Sequence, residues 1–250
     1  MRRKWNKFIY IFLLFSCVGH LQAQVTTTHG KWKLIHARAT QTREKVSIRI
    51  QEPSQHEVVS GPDVTVRFTS ENWQPENNGK HLHFILDNDP FQAHFSNDPF
   101  LFRNVKPGAH VIRLFPVYPW HESVKQQEAL ALVHFYVQEK TGTSGLDFSK
   151  PMMIYSTPAG DHDSKERLPG QPYSGILIDW FLHNVNMGSK AGYFVRLSID
   201  GKELMSMKEW RPHYIQGLEA GEHQIKLELL KNGVPVNENG NVTERTIRVR

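Results

Sequence analysis

Only one cysteine, Cys17, occurs in this chain of 250 residues. It sits close to the N-terminus, so everything after it lacks a thiol with which to build a disulfide, a thiolate metal centre or a cysteine nucleophile. No serine stands in a strand–turn–helix elbow and there is no glycine-rich phosphate loop, which leaves covalent hydrolysis and nucleotide chemistry without support. Long apolar runs are missing too. The most continuous one, Phe8 to Val18, is well short of the roughly 20 residues that span a bilayer. Positive charge is scarcer than the formal net of +5 suggests. Arg2, Arg3, Lys4 and Lys7 precede every acidic residue, and the chain beyond residue 23 carries 26 basic against 25 acidic side chains. With no basic run after that point, nucleic acid is not an expected partner.

What is present at the N-terminus has the three parts of a secretory signal: the basic cluster just named, the apolar core, and Leu21-Gln22-Ala23 as a small-residue cleavage site. Residues 1–23 therefore read as a signal peptide, with Gln24 as the mature N-terminus and a periplasmic or extracellular destination. Leu14-Phe15-Ser16-Cys17 loosely resembles a lipobox, so lipid anchoring through Cys17 is the alternative. The mature chain contains no transmembrane segment.

The mature part repeats itself. Gly79-Lys80-His81-Leu82-His83-Phe84-Ile85-Leu86-Asp87 aligns with Gly192-Tyr193-Phe194-Val195-Arg196-Leu197-Ser198-Ile199-Asp200. Pro107-Gly108-Ala109-His110-Val111-Ile112-Arg113-Leu114 aligns with Ala220-Gly221-Glu222-His223-Gln224-Ile225-Lys226-Leu227 at the same offset, without a gap. Each block alternates apolar and polar residues with period two, the mark of strands with one buried face. Opening strands ending in Pro53 and Pro158 and closing strands at Val133–Val137 and Ile247–Val249 complete two units. The fold expected is all-β: two tandem immunoglobulin-like antiparallel β-sandwich modules, 43–139 and 150–250, joined by a linker at 140–149. Residues 24–42 form an N-terminal arm, either loose or an extra edge strand.

A duplicated scaffold separates shared architecture from features of one copy. His110 and His223, present in both, read as structural. His81 and His83 belong to the first copy alone, and at i and i+2 on a strand they project side by side. Two such imidazoles suit Cu or Zn when further ligands join them, with His94 and His121 as candidates and Glu122, Asp87 and Asp89 behind them. The competing reading is a solvated strand face that happens to carry histidines. The loop Pro119-Trp120-His121-Glu122-Ser123-Val124-Lys125 sets an aromatic beside polar groups and suits ligand contact through Trp120, His121, Glu122 and Lys125. Folding back of Trp120 as a plug explains it equally. In the second copy Trp210 and Arg211 are candidates for a contact patch or for packing between modules. Asp161-His162-Asp163 reads as a solvated loop, and Asn241-Val242-Thr243 matches a glycosylation acceptor only formally.

On the stretches Gly108 to Pro116, Pro119 to Lys125, Lys150 to Ser156 and Leu197 to Gly201, the chain resembles a group of uncharacterised bacterial secreted proteins with paired Ig-like modules, some described as phosphopeptide-binding. The resemblance implies fold and export and transfers no catalytic residue. Phosphate binding calls for convergent arginine forks or backbone nests. Arg103 and Arg113, or Arg196 and Arg211, are the available candidates and form no cluster in sequence. The expectation is a non-catalytic binding or adaptor protein of the cell envelope, without a cofactor, contacting a protein or glycan through loops of the first module. The alternative is a periplasmic Cu or Zn binder using His81 and His83.

Overall fold

The structure is a computed structural model that describes residues 26–29 and 31–250. Residues 1–23, expected to be a signal peptide with Cys17 among them, and Gln24 lie outside the described residues. Nineteen strands and one short 3-10 turn, Gln127–Ala129, make up the described regular structure. In chain order the strands are β1 (Thr26–His29), β2 (Trp32–His36), β3 (Ser47–Glu52), β4 (Val58–Val59), β5 (Val64–Glu71), β6 (His81–Leu86), β7 (Gln92–His94), β8 (Phe100–Phe102), β9 (Gly108–Val117) and β10 (Ala131–Val137). The series continues with β11 (Met152–Thr157), β12 (Gly160–His162), β13 (Ile176–His183), β14 (Tyr193–Ile199), β15 (Lys202–Met207), β16 (His213–Gln216), β17 (Gly221–Lys231), β18 (Val234–Pro235) and β19 (Val242–Val249). None of the described residues forms a helix long and apolar enough to cross a membrane.

In the first module the sheet β3-β5-β8 packs on the sheet β4-β10-β9-β6-β7. In the second, β1-β2-β16-β13-β11 packs on β12-β19-β17-β14-β15. The all-β, tandem Ig-like organisation follows directly from the alternation of the sequence. On β5, Val64, Val66 and Phe68 are buried while Thr65, Arg67 and Thr69 are exposed, and each large side chain so buried contributes about 2 kcal/mol.

The duplication extends to individual hydrogen bonds. Asp87 and Asp200, both in left-handed conformation, each accept a 2.8 Å bond at Oδ2 from a histidine Nδ1, His110 and His223 respectively. The Oδ1 atoms accept from Val111 N and Gln224 N at 2.9 Å. The second imidazole nitrogens lie 2.8 Å and 3.0 Å from the carbonyls of Lys106 and Glu219. The shared histidines are thus corner clasps, repeated at the duplication offset.

Two arrangements depart from the period-two reading. The first concerns the N-terminal arm. It is neither loose nor part of the first module, because β2 pairs with β16 of the second (His36 opposite His213, Leu34 opposite Ile215) and buries Leu34 in that module's core. The second concerns the inner sheets. On β13, Ile176, Ile178, Trp180 and Leu182 enter the second core, yet Leu177, Asp179 and Phe181 on its opposite face are buried as well. Met152, Ile154 and Phe181 complete the first module's core cluster. The outer face of β6 and β9 thus lies against the outer face of β11 and β13, and every β6 residue from His81 to Ile85 is buried.

Candidate metal centre

The solvated face expected for His81 and His83 is therefore a seam between modules. Both residues are fully buried. Strand geometry sets them side by side, ring centroids 5.2 Å apart, and aromatic rings fix their planes: His83 stacks on Phe91 at 3.6 Å and His81 on Phe95 at 4.5 Å.

The third member arrives from the loop after β9. A turn closed by the His121 N to Tyr118 O bond puts His121 at φ 68°, a left-handed conformation uncommon outside glycine. Its Nδ1 then lies 3.0 Å from His81 Nε2 and 3.0 Å from His83 Nε2, and the three candidate ligand atoms all fall within 4.8 Å of one another. Around an ion with metal–nitrogen bonds of about 2.0–2.1 Å, neighbouring ligand nitrogens stand about 2.9 Å apart in a square plane and about 3.3 Å apart in a tetrahedron. The two 3.0 Å spacings to His121 Nδ1 belong to that range.

His81 Nδ1 is 2.9 Å from the Gly79 carbonyl, which only accepts, so that nitrogen carries the proton and Nε2 of the neutral ring is a lone pair. If His121 Nδ1 is protonated, one hydrogen faces two neighbours. If it is not, two lone pairs face each other across 3.0 Å. No neutral arrangement makes both contacts full hydrogen bonds, whereas a cation among the nitrogens satisfies all three. An extra proton is disfavoured. Burial lowers the pKa of His81, holds His83 well below the ordinary imidazole range and brings His121 to about 4, each reinforced by its neighbours except at His81, where the Gly79 bond partly opposes it. The rings are therefore kept neutral, the form that binds metal. Outer partners are in place as well: Gly79 O for His81, and Ser156 Oγ on β11, 3.1 Å from His83 Nδ1. His121 also lines a cleft of about 210 Å³ with Phe91, Trp120, His162 and Glu166.

The remaining sequence candidates go elsewhere. His94 does not join the triad; it sits on β7 opposite Leu82, bonded through Nε2 to the Asp98 carbonyl and packed against Phe84 and Phe100. Asp87 is a corner clasp, and Asp89 offers its carbonyl to Arg245. Glu122 turns away from His121, accepting from Thr40 N at 2.6 Å, Thr40 Oγ1 at 2.9 Å and Trp120 Nε1 at 2.9 Å. Trp120 is the plug rather than a displayed ring. Half-buried, it stacks on Tyr118 at 5.1 Å and lies so close over Gly170 that an added Cβ would come within 2.8 Å of its ring. Lys125 is buried in an ion pair with Asp179 and donates to Ser123 Oγ and the Trp180 carbonyl. Trp210 donates to the same carbonyl at 2.9 Å, and Arg211 pairs with Glu209. The arginines considered for phosphate do not converge: Arg103 pairs with Asp63, Arg196 with Glu228, and Arg113 is fully buried beside Asn88. Asn241 is buried with its carboxamide bonded to Met153 N and Pro151 O, so the folded chain does not offer it for glycosylation. His162 is less solvated than its sequence surroundings imply, since it lines the cleft and faces Glu166 at 3.7 Å.

Two contributions escaped sequence reading altogether. Ser156 and Asp179 lie on strands of the second module and reach the first only across the seam.

No protein-family model and no curated protein matches the chain. Among solved structures it is similar to the fibronectin(III)-like modules of Clostridium thermocellum CbhA, with 13% identity, 81% of this chain and 94% of that chain covered, and a TM-score of 0.29. It is also similar to a Bacteroides ovatus mixed-linkage glucan utilization locus protein, SGBP-B, solved with a mixed-linkage heptasaccharide: 10% identity, 82% of this chain and 47% of that chain, TM-score 0.23. Likeness at this level assigns no function, and the chemistry of the site has to carry the reading.

Proposed function

We propose that this chain is a non-catalytic metal-binding protein in which His81, His83 and His121 hold one Cu(II) or Zn(II) ion at the seam between two Ig-like modules. The observation that supports it most is the meeting of three neutral imidazole nitrogens, two contacts at 3.0 Å, with too few protons to satisfy them. Imidazole is a suitable ligand for both ions, and an all-nitrogen set fits an exported protein whose mature part has no thiol. The loop contacts first considered for a protein or glycan partner rest on Trp120, Glu122 and Lys125, whose polar atoms are engaged within the chain.

Titration of the mature protein with Zn(II) and Cu(II) tests the proposal. One equivalent of Zn(II) is expected to shift the imidazole NMR signals of all three histidines and to raise the melting temperature as free metal increases, since the ion binds the folded state preferentially. His83→Gln is expected to abolish both effects. Unchanged histidine spectra and melting temperature with either ion would sink the idea.

A further inference from the structure

A second constellation lies in the other module, and it has a different chemistry. On β15, Met205 and Met207 are two residues apart and share a face. With His213 at the start of β16 and His36 at the end of β2, they line a cavity of about 330 Å³ whose rim carries Ser206, Lys208, Glu209 and Arg211. His213 is 2% exposed and donates from Nδ1 to the Arg211 carbonyl at 3.1 Å. Its Nε2 is therefore a lone pair, and no hydrogen bond to it occurs among the described residues. Stacking on Trp180 at 5.6 Å and the edge-on approach of His36 at 4.9 Å fix the ring plane. Burial and then His36 lower this imidazole to about 3, with the bond to the Arg211 carbonyl partly opposing them.

The geometry points to a soft-metal site in this cavity, with the Met205 and Met207 thioethers and His213 Nε2 as ligands for Cu(I). Thioethers select soft ions, and the ligand set contains neither thiolate nor carboxylate. Glu209, the one acid on the rim, is tied to Arg211. A neutral ligand set beside Lys208, with Arg211 already paired to Glu209, favours a monovalent ion over a divalent one, because the repulsion from the lysine scales with the charge of the ion. The same Glu209 pairing argues against an anion in the cavity, since it occupies the guanidinium that would receive it. This site stands apart from the histidine triad in sequence, module and ligand type, and its existence does not depend on that of the triad.

Two measurements decide the matter. The first follows the ε-methyl NMR signals of the methionines during titration with Ag(I), a redox-inert counterpart of Cu(I). The Met205 and Met207 signals are expected to shift with the first or second equivalent and to stay in place with Zn(II). The second is anaerobic competition for Cu(I) against a chromophoric chelator. Met205→Leu with Met207→Leu, a volume-conserving pair that keeps the core filled, is expected to lose one tightly held equivalent that His83→Gln retains. Methionine signals indifferent to Ag(I), equal response to Zn(II), or an unchanged Cu(I) stoichiometry in the double variant would each overturn the inference.

Discussion

His121 combines a left-handed backbone, two imidazole contacts and a place in the lining of a cleft, and burial displaces its protonation strongly. Its folded pKa of about 4 lies below the 6.5 of an exposed imidazole. Between those values the unfolded chain binds the proton and the native ring does not, so the stability this residue confers is complete above about pH 6.5 and is lost as pH falls towards 4. Compared with His121→Asn, a residue that tolerates the left-handed conformation, the wild type is expected to lose about 1.4 kcal/mol of unfolding free energy per pH unit across that window. Urea denaturation of both proteins at several pH values measures it, and parallel curves would contradict the assigned neutrality. The buried acids have the opposite sign. Burial raises Asp179, partly offset by Lys125 and Ser123, and it raises Glu122 likewise. The comparison between variants, in which those acids are common to both proteins, isolates the histidine.

At the level of elements, β2 shows how much one strand changes. Only five residues long, it donates Leu34 to the core of a module whose own sequence starts more than a hundred residues later. Leu34 is 0% exposed, so Leu34→Ala is expected to cost about 3 kcal/mol and to show itself as faster hydrogen exchange in β16 and β13 rather than in β5 or β6. Equal loosening in both modules would contradict the assignment of this strand to the second. Nothing in residues 24–42 announced that partner. Trp32, Leu34 and Ile35 mark an apolar edge in the sequence, but pairing between strands so far apart leaves no local periodic trace.

On the scale of the whole molecule the seam joins the two modules, and Asp179 is its anchor. Fully buried on β13, it accepts from Ser123 N at 2.9 Å and Ser123 Oγ at 2.6 Å and pairs with Lys125. These bonds hold the loop that carries His121 against the second module. Asp179→Asn leaves a buried ammonium uncompensated and is expected to cost about 3–5 kcal/mol and to weaken Zn(II) binding, although no ligand is touched. Pairing it with Lys125→Met is expected to restore much of the stability. Thermal unfolding and metal titration of the single and double variants check both statements.

Composition and period-two alternation determined the all-β class, the duplication, the structural role of His110 and His223, and the side-by-side projection of His81 and His83. Each of these depends on residues close in sequence or on a pattern repeated within the chain. Tertiary structure alone decided that the histidine face is dry, that His121 joins it while His94 and Glu122 do not, and that Trp120 and Lys125 turn inward. Alternation specifies which side chains share a face of a strand. It carries no information on what covers that face, and here the cover is β11 and β13, placed by contacts between modules that no local pattern encodes.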